Sequence, residues 1–296
     1  MKKSNRRDFL KGAAAIGAAG VGLSASAKAS PANILSEDRM GVLVGTTACI
    51  GCRHCEWACK TSHGFPAGDL SDYQDREVFK ELRRPDVTGF TVVNKFENEK
   101  NPLSPIGVKV QCMHCDHPAC VSACIVGAFT KNENGAITWD SGMCIGCRYC
   151  MIACPFQIPT FEFSRAMGSD IRKCDFCFER TEKGLLPACV EICPMEALIY
   201  CPRSEVIKTA REKIALYPER YQNHIFGEKE VGGTSWVYIG SKDMTKLGFP
   251  KLKEATAPGV SESIQHGLFS YFVPPIALYS LLGGIMWLTK KRQDLE

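Results

Sequence analysis

The sequence predicts an α+β fold built from two pseudo-symmetric units, and three observations carry that expectation. Its cysteines fall into four quartets in alternating order, short strand and turn signals lie among them, and both chain ends differ in composition from the middle.

The N-terminal end comes first. Met1-Lys2-Lys3-Ser4-Asn5-Arg6-Arg7-Asp8-Phe9-Leu10-Lys11 is followed by the weakly apolar stretch Gly12 to Ala27 and by Ala27-Lys28-Ala29, a small-residue cleavage site. Paired arginines ahead of such a stretch read as a twin-arginine export signal over residues 1–29, with Asn5 where Ser or Thr is more usual. Chains exported by this route travel already folded, so their cysteines meet an oxidising compartment with any metal in place. Residues 1–29 hold six Lys/Arg and one Asp, so the remaining chain carries a net charge of −1 against +4 for the whole. The basic balance belongs to the signal and makes no case for a nucleic-acid partner.

The quartets define the middle, residues 30–266. They read Cys49-x2-Cys52-x2-Cys55-x3-Cys59, Cys112-x2-Cys115-x4-Cys120-x3-Cys124, Cys144-x2-Cys147-x2-Cys150-x3-Cys154-Pro155 and Cys174-x2-Cys177-x11-Cys189-x3-Cys193-Pro194. The first and third repeat Cys-Ile-Gly-Cys-Arg-x-Cys-x-x-Ala-Cys, and the second and fourth share Pro-Ala-Cys-Val at Pro118 and Pro187. That order points to duplication of a two-centre unit. Three cysteines on a tight loop reach three irons of one [4Fe-4S] cubane, and the fourth leaves on a short helix toward a neighbouring cubane. Sixteen of the seventeen cysteines are thus assigned to four [4Fe-4S] clusters. A disulfide framework needs no such spacing, and zinc, which also takes paired cysteines, accounts poorly for four three-plus-one quartets.

Local structure agrees with paired iron-sulfur units. Asn134-Gly135 between Ala128–Lys131 and Ala136–Asp140 is a hairpin signal. Ala197–Tyr200 reads as a strand, Glu205–Leu216 as a helix, and Gly232-Gly233 as a turn before a strand over Ser235–Ile239. Residues 61–108 read as an inserted loop-and-strand excursion.

The C-terminal end closes the chain. Leu268 to Thr289 contains no charge, is long enough to cross a hydrocarbon core, and predicts a transmembrane helix over 267–289. Lys290, Lys291 and Arg292 follow, so the positive-inside rule leaves 290–296 as a cytoplasmic tail and the domain on the periplasmic face. Pro274 and Pro275 are expected to loosen the first half of the span.

Together these features resemble the four-cluster ferredoxin-like iron-sulfur subunits of membrane-bound redox complexes. Most similar is the electron-transfer subunit of periplasmic hydrogenase-2-type nickel-iron hydrogenases. The strings that carry the likeness are Gln111-Cys-Met-His-Cys115, Gly146-Cys-Arg-Tyr-Cys-Met-Ile-Ala-Cys-Pro155, Leu186-Pro-Ala-Cys-Val-Glu-Ile-Cys-Pro194, Gly227-Glu-Lys-Glu-Val-Gly-Gly-Thr234 and Ser263-Ile-Gln-His266. The resemblance implies a non-catalytic relay between a nickel-iron hydrogenase small subunit and an integral-membrane quinone-reactive subunit. The alternatives are the same relay in a molybdopterin oxidoreductase such as formate dehydrogenase, and a non-redox zinc-binding assembly protein.

The resemblance also implies nested pairing. Cluster 1 takes Cys49, Cys52, Cys55 and Cys193; cluster 2 takes Cys174, Cys177, Cys189 and Cys59. Cluster 3 takes Cys112, Cys115, Cys120 and Cys154; cluster 4 takes Cys144, Cys147, Cys150 and Cys124. Spacing alone equally permits consecutive quartets to pair. Lys60 and Ile125 stand where the repeat elsewhere has Cys-Pro, and Lys60 is expected to raise the potential of its neighbouring cluster.

Several residues are read structurally rather than chemically. Cys201 is a small, packed thiol. His54, His114 and His117 lie inside quartets already complete in thiolates, and Trp57, Trp139, Phe176 and Phe178 exclude water. His266 is expected at the membrane surface.

Overall fold

The computed structural model describes residues 39–99, 101–164, 171–259 and 278–287. In chain order the elements are β1 (Met40–Gly45), α1 (His54–Ser62), β2 (Val92–Phe96), β3 (Ile106–Val110), α2 (Ala119–Ser122), β4 (Phe129–Lys131), β5 (Ile137–Trp139), α3 (Tyr149–Ala153), β6 (Thr160–Phe161), β7 (Ile171–Arg172), α4 (Phe178–Glu182), α5 (Ala188–Glu191), β8 (Leu198–Pro202), α6 (Arg203–Leu216) and β9 (Trp236–Ile239).

The sheet rests on β1, whose Val42, Leu43 and Val44 are all buried, as a strand covered on both faces requires. β8 pairs with it antiparallel and β9 parallel, with Val42 opposite Tyr200 on one side and Trp236 on the other. Alternation then divides the side chains. Val42 and Val44 face a large core with Trp236, Tyr238 and several cysteines. Leu43, Val237 and Ile239 face α6, which presents Val206, Ile207, Ala210 and Ile214 at helical spacing. Each fully buried aliphatic side chain here stabilises the fold by about 1.5–3 kcal/mol.

The expected hairpin forms as β4 and β5, paired Phe129 to Trp139, with Gly135 at φ 92° in the turn. The helix expected at Glu205 begins two residues earlier, at Arg203, where Pro202 supplies the entering turn. The excursion over 61–108 contains two short 3-10 turns, Leu70–Gln74 and Glu77–Phe79, before β2, which pairs antiparallel with β3. Glu56 on α1 ties that excursion down. Its carboxylate accepts the Val93 N–H at 2.6 Å, Arg83 at 2.6 and 3.1 Å, and Arg53 at 3.3 Å. A second buried carboxylate, Asp116, takes a two-pronged pair from Arg39 at 2.8 and 3.0 Å.

The export signal lies outside the described residues, as does His266. Of the expected membrane span only residues 278–287 are described, and they are helical. Among the described residues no helix is long and apolar enough to cross a membrane.

Candidate functional site

All seventeen cysteines are free thiols. Each quartet opens with the same local device. The residue before its second cysteine lies in the left-handed region, Gly51 at φ 68°, His114 at 49°, Gly146 at 68° and Phe176 at 68°. Glycine takes this conformation freely, whereas an L side chain pays about 1–2 kcal/mol. The turn aims an amide back at sulfur, since the N–H of Gly146 lies 3.5 Å from Cys144 Sγ and that of Phe176 lies 3.4 Å from Cys174 Sγ. Such donors favour negative charge on the sulfur. The strain at His114 and Phe176 is held by packing: both are buried and their rings lie 4.8 Å apart.

Short helices then bring distant quartets together. α1, from the first quartet, packs on α5 from the fourth, while α2 and α3 from the second and third pack on each other. Cys49, Cys52, Cys55 and Cys193 line one cavity with Ile50, Met195 and Lys109. Cys59 neighbours Cys174, Cys177 and Cys189. Cys115 faces Cys112, Cys154 and Cys120, and Cys150 faces Cys144, Cys124 and Cys147. These four groups are also electrostatic neighbours in series. Cys55 interacts with Cys189, Cys174 with Cys112, and Cys120 with Cys150. Cys201 stands apart on β8 opposite Gly41, packed against the α6 cluster.

As bare thiols these groups are poorly placed for charge. Burial pushes Cys49 up to about 11, Cys150 to about 11 and Cys120 to about 12, and raises Cys55, Cys115 and Cys174 well above the ordinary thiol range. Metal coordination deprotonates a thiol outright. The surroundings fit an anionic group. Lys109 is 2 % exposed, and its ammonium faces Cys189, Cys55 and Cys174. Lys173 and Lys131 are also buried or nearly so; Lys173 neighbours Cys120, and Lys131 neighbours Cys115 and Cys112. The backbone leaves room as well: a Cβ on Gly107 would fall 2.8 Å from both the carbonyl oxygen and the Sγ of Cys49. Tetra-cysteinyl iron-sulfur clusters match this donor set, these cations and this clearance.

Among the histidines, His114 accepts the Ile137 N–H on Nδ1 at 2.9 Å, and burial drives its pKa well below the usual value. His63, which the sequence did not single out, bonds Asp175 at 3.0 Å beside Cys59. Burial opposes its charge, but Asp175 and Cys59 together hold its pKa up at about 11. The three buried lysines and Gly107 were also missed. Lys109 is a lone cation in the apolar strand Ile106–Val110, and that mismatch was the available signal.

The comparisons with known proteins agree with this site. A 4Fe-4S dicluster domain matches residues 107–203, and a twin-arginine translocation pathway signal sequence matches residues 3–22. A protein of Nitratidesulfovibrio vulgaris is 42% identical over 82% of this chain, the match spanning 66% of that protein, a little under two thirds. The hydrogenase-2 operon protein HybA of Escherichia coli is 33% identical, over 97% of this chain and 95% of its own length. The nitrate-inducible formate dehydrogenase iron-sulfur subunit of Escherichia coli is 31% identical over 67% of this chain and 66% of its own. The class is therefore a ferredoxin-like iron-sulfur electron-transfer subunit rather than a catalytic one. Within it, the chain belongs to the family of the hydrogenase-2 operon protein HybA.

Proposed function

We propose that this chain relays electrons through four [4Fe-4S] clusters between a periplasmic nickel-iron hydrogenase and a quinone-reactive membrane subunit. The reading is supported by the electrostatic neighbours Cys55–Cys189, Cys174–Cys112 and Cys120–Cys150, which link the four cysteine groups one to the next. Nested ligation follows this series, with Cys49, Cys52, Cys55 and Cys193 at one end and Cys144, Cys147, Cys150 and Cys124 at the other. The clusters, when bound, supply one-electron storage and outer-sphere transfer.

The chain's own residues set the conditions. Short left-handed turns direct N–H donors at sulfur, buried cations offset thiolate charge, and apolar cores exclude water. At each end the residue after the first cysteine is an exposed isoleucine, Ile50 at 53 % and Ile145 at 62 %. These are the surfaces where redox partners dock in this reading.

Location follows from the two termini. The export signal of residues 1–29 directs residues 30–266 outside the cytoplasm, the uncharged stretch over 267–289 anchors them, and residues 290–296 remain inside. The hydrogenase partner is favoured over a molybdopterin enzyme because the likeness to the hydrogenase-2 operon protein runs almost end to end, whereas the formate dehydrogenase subunit matches only in part. Purification of the complex in mild detergent, followed by metal analysis, tests this: co-purified nickel is expected, and molybdenum without nickel contradicts it.

A further inference from the structure

Among the described residues, the buried and half-buried cations divide into two kinds. Arg53 and Arg83 pair with the carboxylate of Glu56, and Arg39 pairs with Asp116. Lys109 is different. Its ammonium donates to Gln111 Oε1 at 2.9 Å and sits 4.3 Å from the centre of the Trp236 ring. Gln111 in turn donates to Tyr238 Oη at 2.6 Å, and that hydroxyl donates to the Lys109 carbonyl at 2.9 Å. This closed ring of hydrogen bonds fixes the side chain in place. None of these partners is a carboxylate, and the groups facing the ammonium are Cys189, Cys55, Cys174 and Tyr238. A buried ammonium without a counter-charge costs several kcal/mol, so one that is retained needs its negative partner close by.

We propose that Lys109 is the shared counter-cation of the first two clusters, holding the reduction potentials of both above what the same cubanes would have without it. This rests on the four-cluster reading and deepens it. The position is what matters: Lys109 lines the cavity of Cys49, Cys52, Cys55 and Cys193, and it also reaches Cys174 and Cys189 of the second group. Each electron delivered by the partner subunit adds one negative charge to a cluster and its thiolates, and no proton need follow. A fixed positive charge between the two sites favours that added charge at either one. Lys109 is thus a positioning charge for the first half of the relay. Farther along the relay, Cys120 has Lys173 beside it.

The test is a redox titration of the purified full chain by electron paramagnetic resonance. Signals of the first two clusters are assigned by their loss in Cys49→Ala and Cys174→Ala variants. Native protein, Lys109→Met, the packed double variant Lys109→Met/Gln111→Leu, and the charge-keeping Lys109→Arg are compared. Both neutral variants are expected to show at least a tenfold weaker reduction equilibrium at the first two clusters, which is about 59 mV for one electron, with smaller changes at the other two. Lys109→Arg is expected to stay within threefold of native. Iron lost from the neutral variants but kept in Lys109→Arg supports the same charge role. Unchanged midpoints in a neutral variant with full iron, or equal damage in Lys109→Arg, overturns the proposal. A native chain without four clusters would instead defeat the four-cluster reading itself.

Discussion

Glu56 and Lys109 show what a single buried charge does in this chain. The Glu56 carboxylate has four hydrogen bonds, so Glu56→Ala strands two guanidinium groups and the Val93 N–H. Loss of about 3–5 kcal/mol of stability is expected, read as a lowered midpoint of denaturant unfolding. The cysteines were legible from the sequence because three of each four lie on one short loop and their spacing is local. Lys109 stands out in its apolar strand, but its role was not legible, because Cys174 and Cys189, which it faces, lie far along the chain. Lys60 was read as the cation beside a ligand, and its side chain passes close to Gly89.

Among the elements, those with local signals were readable. The Asn134-Gly135 turn specifies its hairpin, and the apolar spacing of Val206, Ile207, Ala210 and Ile214 specifies α6. Met40–Gly45 is too short an apolar run to identify by pattern, and its parallel partner Trp236–Ile239 is nearly two hundred residues away. The left-handed turns were only half visible. Gly51 and Gly146 advertise theirs, but His114 and Phe176 adopt the same φ without glycine. Two substitutions separate local backbone strain from crowding. Gly146→Ala meets only ordinary contact with Phe161 at 3.4 Å, so it is expected to destabilise by about 1–2 kcal/mol while keeping its iron. Gly107→Ala drives a methyl into Cys49 Sγ, and iron analysis is expected to show the loss of one cluster, about four irons.

Over the whole molecule, the cysteines are part of the core rather than an addition to it. Cys59, Cys112, Cys174 and Cys189 share one buried cluster with Val42, Trp236 and Tyr238. Iron removal by a chelator is therefore expected to lower the thermal unfolding midpoint and abolish a single cooperative transition, followed by circular dichroism. The quartet spacing left open which quartets pair, since nested and consecutive pairing use the same loops, and only contacts across the fold can choose. The packing of α1 on α5 and of α2 on α3 favours nested pairing. The most direct test is the iron content of a Cys49→Ala/Cys193→Ala double variant against native protein, for which the proposed four clusters predict about sixteen irons. Nested ligation removes both ligands from one cluster and predicts about twelve irons; consecutive ligation disrupts two clusters, and about eight irons would contradict the account.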